Sequence, residues 1–199
     1  LLIVALLGGI GSMLLTNWSL LWYGFGGALC VLLYPYLKYR ALGDVVIGIA
    51  YAWLPCWGTS LVFTGQMQSV TLLLAIPLGC ITIAILHCNN TRDVCTDGNA
   101  HIRTIAMNIG HKRASGLYQF YMLFPFISVV ACVVAGLFPY LSLLSLVALP
   151  NAWKNAALMR QSSHEDVSSI IRLDERTAQL QLLFSLLLSV SFIIAAHLS

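Results

Sequence analysis

Charge is what this chain has least of. Asp, Glu, Lys and Arg make up 9% of its 199 residues and 59% are hydrophobic, whereas an ordinary soluble domain is about 25% charged. So few charges cannot cover a water-facing surface. A soluble globular protein is thereby excluded, and a chain facing lipid and other apolar helices is left, in keeping with a mean hydropathy of +0.87. The formal net charge of +3 is too small to suggest a nucleic-acid partner and fits basic loops lying against anionic headgroups. Cys-x-x-Cys pairs are absent too. Cys30, Cys56, Cys80, Cys88, Cys95 and Cys132 stand singly, mostly in apolar stretches, as small buried packing residues do. The opening Leu1-Leu2-Ile3-Val4 has no methionine, basic flank or cleavage site, so it is no signal peptide and is expected to begin inside a longer chain.

The few charges are not scattered. None precedes Lys38, none lies between Asp44 and Arg92, and residues 114–153 and 177–199 carry none. All therefore fall in segments 38–44, 92–113 and 154–176. A spanning helix needs about 20 apolar residues, so turn signals at Thr16-Asn17, Thr64-Gly65-Gln66 and Phe138-Pro139 divide the uncharged blocks. Seven spans are predicted, over about 1–16, 18–37, 45–63, 67–88, 115–137, 139–153 and 178–198. The fold class is thus an all-α polytopic membrane bundle, with residues 1–199 forming one embedded domain. Linkers alternate between uncharged and charged, and the charged ones hold all ten Lys and Arg, which predicts that they are cytoplasmic. Trp18, Trp22 and Tyr23 at one end of the second span, and Tyr34, Tyr36 and Tyr39 at the other, read as interfacial belts. Gly24, Gly27 and Ala28 are expected to let helices approach closely, and Pro55 and Pro77 to kink their spans.

The segment His87-Cys88-Asn89-Asn90-Thr91-Arg92-Asp93-Val94-Cys95-Thr96-Asp97 carries the most chemistry. If the helix before it continues by two turns, Asn89, Asp93 and Asp97 form one stripe of oxygen ligands. Such donors suit Mg²⁺, usually held by one or two carboxylates together with substrate phosphates. Arg92, Arg103, Lys112 and Arg113 add donors for phosphate oxygens. A solvated loop of mixed charge is the bland reading of a bare Asp-x-x-x-Asp.

The longer pattern, Asn89 through Asp97 followed by Arg103-Thr104-Ile105-Ala106 and Gly110, resembles the second aspartate motif of the UbiA superfamily of intramembrane prenyltransferases. It is most similar to the branch that prenylates 1,4-dihydroxy-2-naphthoate in menaquinone formation. Tyr34-Pro35-Tyr36-Leu37-Lys38, with Gly43-Asp44 after it, resembles the superfamily's Tyr-x-x-x-Lys element and the branch's following Gly-Asp. Arg176-Thr177-Ala178-Gln179-Leu180 looks like the start of the branch's last helix. The resemblance implies that Asp93 and Asp97, with Asn89, hold Mg²⁺ on a polyprenyl diphosphate. It implies that Lys38, Arg92 and Arg103, with Tyr34, bind the diphosphate, and that Asp44 lies by the aromatic acceptor. Asp93, Asp97 and Lys38 would be the catalytic set. Two departures stand out. The superfamily's Gly-Lys-Arg-Thr run is His101-Ile102-Arg103-Thr104 here, so one cation is missing. Its first Asp-rich loop is also absent, so nine spans are expected in the parent protein and the chain as given is expected to be incomplete as an enzyme.

Other polar residues have plainer readings. His87 is expected to pack or hydrogen-bond at an interface, and His111 and His164 to be solvated. Glu165-Asp166 and Asp174-Glu175 are expected in a solvated loop. Relatives acting on hydroxybenzoate, haem or chlorophyllide remain open as alternatives, as does a transporter or non-catalytic homologue. A transporter more often places ionisable residues at mid-membrane, whereas these gather at one surface.

Overall fold

The computed structural model describes residues 2–198, and no strand occurs among them. The helices are α1 Leu2–Leu15, α2 Leu20–Lys38, α3 Gly43–Gly48, α4 Leu54–Thr64, α5 Ser69–Arg92, α6 Val94–Asn99, α7 Ile105–Ile109, α8 His111–Val134, α9 Leu149–Gln161 and α10 Leu173–Leu198. A π turn at Ile49–Trp53 joins α3 to α4, and 3₁₀ segments occupy Tyr140–Ala148 and Ser168–Ile170.

Among the described residues five stretches are long and apolar enough to cross a membrane: Leu20–Lys38, Gly43–Thr64, Ser69–Arg92, His111–Val134 and Ser168–Leu198. The chain is an integral membrane protein. The other two expected spans take different forms. Helix α1 has 14 residues, about 21 Å at 1.5 Å per residue, short of the roughly 30 Å hydrocarbon core. The 139–153 stretch is not one α-helix, because Tyr140–Ala148 winds as 3₁₀ before α9 begins at Leu149 with Pro150 in its first turn.

The π turn has a local cause. Pro55 has no N–H, and its ring collides with the carbonyl four residues back in a regular helix. Leu54 donates instead to Ile49, one residue further back, which widens the turn before the proline. The expected close approaches of Gly24 and Gly27 do not occur among the described residues, since a Cβ there meets nothing within 4 Å. The tight crossing lies between the π-turn segment and α5. A Cβ on Gly79 would stand 3.2 Å from the Ala52 Cβ, and one on Gly48 2.8 Å from Ile83.

The core is built by α5, α8, α9 and α10 around Ile81, Tyr118, Met122, Phe126, Met159 and Phe184. Phe126 and Phe184 meet edge to face at 5.3 Å. Tyr118 and Thr177, both fully buried, share a 2.6 Å hydrogen bond, which gives Thr177 of the third motif a structural role. Helix α2 buries no residue.

The three charged segments meet at one end of this bundle. Ala41 N–H donates to the Arg103 carbonyl at 3.1 Å, tying the first to the second. Arg92 Nη1 donates to the Ile171 carbonyl at 2.9 Å, tying the second to the third.

Candidate functional site

The helix expected to carry the oxygen stripe bends within it. Helix α5 ends at Arg92, Asp93 caps it with φ −95° and ψ 17°, and α6 begins at Val94. The bend does not break the ladder. Asp93 N–H donates to the Asn89 carbonyl at 2.9 Å, and Asp97 N–H to the Asp93 carbonyl at 2.8 Å. The three residues therefore keep their four-residue spacing across the junction of two helices.

Their side chains differ in state. The Asn89 Oδ1 is buried with no hydrogen-bond partner, an expensive condition for a carbonyl-type oxygen and one that a cation would relieve. The Asp93 carboxylate is engaged by Arg92, with Nε to Oδ1 at 2.8 Å and Nη2 to Oδ2 at 3.1 Å. Asp97 lies in the field of Lys38 and Asp93. Partial burial pushes its carboxyl above the usual carboxylate range, opposed by the Lys38 charge and reinforced by that of Asp93. No group of three or more His, Cys, Asp or Glu suited to a metal occurs among the described residues. Two carboxylates and an amide oxygen are nonetheless the hard donor set Mg²⁺ uses when substrate phosphates and water complete its shell. The donors fit that ion.

Arg92 differs from expectation. Its guanidinium, expected to face a diphosphate, is engaged by Asp93, by the Ile171 carbonyl and by Asp174 Oδ1 at 3.4 Å. A charge only partly exposed keeps the nearest opposite charges, and here Asp174 is one of them rather than a solvated loop residue. Glu175 pairs with Arg172 at 2.6 Å. Tyr34 and Lys38, one turn apart on α2, line a polar cleft with Arg103, Asp44 and Asn90. The cleft is about 10 Å³, room for about one water molecule. Tyr34 also borders a mainly apolar cavity of about 290 Å³ walled by Cys30, Val31, Val46, Ile47, Ala50 and Tyr51. One side chain thus joins a polar mouth to an apolar recess.

Positive-φ residues mark helix ends in these segments, and one of them, Ala41, lies in the cleft wall. Ala41 takes φ +60° after the last turn of α2, where Leu42 N–H returns to the Leu37 carbonyl; glycine is the usual residue in that left-handed cap. Gly110, with φ 77° and ψ 157°, joins α7 to α8 in a conformation open essentially to glycine alone. Thr104 caps α7 by accepting from Met107 N–H at 3.3 Å.

Asp44, expected beside the acceptor, is instead buried in a network. Its Oδ2 lies 2.8 Å from His87 Nδ1, and its Oδ1 accepts from Asn90 Nδ2 at 3.1 Å. His87 Nε2 is 3.0 Å from the Ala114 carbonyl, an oxygen that can only accept, so Nε2 is the donor there. Nδ1 and Oδ2 then hold a further proton between them. His87 is fully buried with Tyr121 edge-on at 5.7 Å, so it hydrogen-bonds as expected but deep among three helices, not at an interface. Neither the depth of His87 nor the parts played by Asn90 and Asp174 were apparent in the sequence. The available sign was the three-residue spacing of His87 and Asn90, which puts both on one helix face.

An all-helical membrane bundle with hard oxygen donors and cations gathered at one end defines an integral membrane protein with a polar site at the mouth of its helices. The chain belongs to the UbiA prenyltransferase family, which it matches over residues 1–173. It is 37% identical over 165 residues to UbiA prenyltransferase domain-containing protein 1 of Gallus gallus, covering 81% of this chain and 47% of that protein. To the Danio rerio protein of that name it is 32% identical over 197 residues, 98% of this chain and 56% of that one. The Drosophila melanogaster homolog is 33% identical over 171 residues, 84% of this chain and 45% of that one. The chain therefore spans about half the length of these relatives.

Proposed function

We propose that the protein of which this chain is a part transfers a polyprenyl group from its diphosphate to 1,4-dihydroxy-2-naphthoate, in a Mg²⁺-dependent step of menaquinone formation. Family membership supports prenyl transfer to an aromatic ring. The relatives' names specify no acceptor, so the naphthoate rests on the Tyr34–Asp44 and Asn89–Asp97 resemblances. The observation that carries the reading is convergence: Tyr34, Lys38 and Arg103, from two distant segments, line one cleft, and Lys38 acts on Asp97 of the oxygen stripe.

In this reading the carbon–oxygen bond of the allylic diphosphate breaks and its electron pair leaves with the diphosphate. The ring carbon attacks the allylic cation, and the ring carboxylate departs as carbon dioxide. Asn89, Asp93 and Asp97 would hold Mg²⁺, which supplies charge neutralisation on the departing group. Lys38 and Arg103 add fixed positive charge where negative charge develops, and Tyr34 donates a hydrogen bond to it. The apolar walls beside Tyr34 take the first isoprene units and keep water from the cation. The charged loops face the cytoplasm. The full-length protein in liposomes, given polyprenyl diphosphate, Mg²⁺ and competing acceptors, should yield prenylated naphthoate; product from 4-hydroxybenzoate alone would move the protein to another branch.

A further inference from the structure

The Asp44 network grips α5, the helix that carries Asn89 and is capped by Asp93. At about 100° per residue, His87, Asn90 and Thr91 cluster on one face of the helix, and all three are buried. Asn89 lies about 160° around from His87, and Asp93 about 120°. A helix grips as a rigid rod, so whatever fixes the first face fixes the second. Three elements fix it at one level: Asp44 from α3, His87 and Asn90 from α5, and the Ala114 carbonyl with Tyr121 from α8. Side-chain oxygens stand about 6 Å from a helix axis, so a slip of about 10° moves them about 1 Å. That exceeds the roughly 0.5 Å tolerance of a working site.

We propose that Asp44 is a positioning residue, which acts through His87 and Asn90 to set the rotation of α5 and hence the aim of Asn89 and Asp93 at the metal. This rests on the Mg²⁺ reading above and replaces the direct acceptor contact expected of Asp44. Each Asp44 oxygen already holds a partner within the network, and its side chain is 3% exposed. The assignment makes an unusual demand on variants. Asparagine can rebuild the network: its Oδ1 accepts from Asn90, and its Nδ2–H donates to a His87 Nδ1 that then carries no proton. A role needing the carboxylate charge would not survive that change.

The test uses the full-length protein in nanodiscs with Mn²⁺ as probe and inorganic pyrophosphate as the diphosphate, bound metal being read by EPR. Asp44→Asn should bind Mn²⁺ within about twofold of wild type, while Asp44→Ala should bind about tenfold more weakly, with the acceptor KM unchanged in both. Equal losses in the two variants, or wild-type affinity in Asp44→Ala, would overturn the proposal, as would a raised acceptor KM. Should Asp44→Ala not fold, Asn90→Ala decides. It keeps the Asp44–His87 pair and should weaken Mn²⁺ two- to fourfold; no change overturns the proposal. Asp93→Asn separates the two levels. If it binds Mn²⁺ like wild type, the metal reading fails and the positioning role falls with it; if it weakens binding while Asp44→Ala does not, only the positioning role fails.

Discussion

Asp97 shows how a single carboxylate can sit where the fold does not favour its charge. Burial, opposed by Lys38 and reinforced by Asp93, raises its carboxyl above the ordinary range. A folded state that holds its proton more tightly than the unfolded one is favoured at acid pH, and the benefit is lost as pH rises through the raised value. Asp97→Asn, which does not titrate, should therefore raise the metal-free melting temperature at pH 7 relative to wild type. The difference should vanish below about pH 4, the usual carboxylate range. The same substitution in the full-length protein should cut turnover roughly 100-fold, about 3 kcal/mol of lost charge stabilisation, while Glu165→Gln leaves it unchanged. A melting temperature that falls at pH 7 would mean that Lys38 outweighs desolvation. Asp93 was legible as a motif residue, but its pairing with Arg92 was not, because neighbours in sequence do not reveal which way a helix end bends.

At the scale of elements, crossings are decided by which small residues face a neighbour. The glycines of α2 read as contact residues, yet the close crossing is made by Gly79 against Ala52. Gly79→Leu should push α5 from the π-turn segment and cost about 1–3 kcal/mol, as overpacking does, read as a lower melting temperature. Gly24→Leu, with open space around its Cβ, should shift it far less. Equal shifts would contradict the crossing described. Hydropathy cannot separate these cases, since a glycine facing lipid and one facing a helix score alike. The same blindness explains the 139–153 stretch: its apolar length was plain, but a 3₁₀ winding followed by Pro150 leaves no mark on composition.

For the whole molecule, the three charged segments share one end because bonds between them are made there, Ala41 to Arg103 and Arg92 to Ile171. A cysteine at Gln66, exposed in the turn between α4 and α5, should thus sit on the opposite side of the membrane from one at Arg103. In a cysteine-free background, an impermeant maleimide applied outside the cell should label Gln66→Cys and spare Arg103→Cys. Labelling of both, or of the second alone, would overturn the topology.

The sequence by itself determined the solvent and the class: charge confined to three segments and apolar runs of spanning length admit a membrane bundle and little else. It also held the chemical alphabet of the site, oxygen donors at four-residue spacing and cations nearby, because local periodicity survives into a helix. Only the tertiary structure decided which of those groups face one another. Asp44 and His87 are 43 residues apart and Arg92 and Asp174 belong to different charged segments. Such meetings arise when whole helices settle their rotations against each other to bury side chains, a choice no single stretch of sequence makes alone.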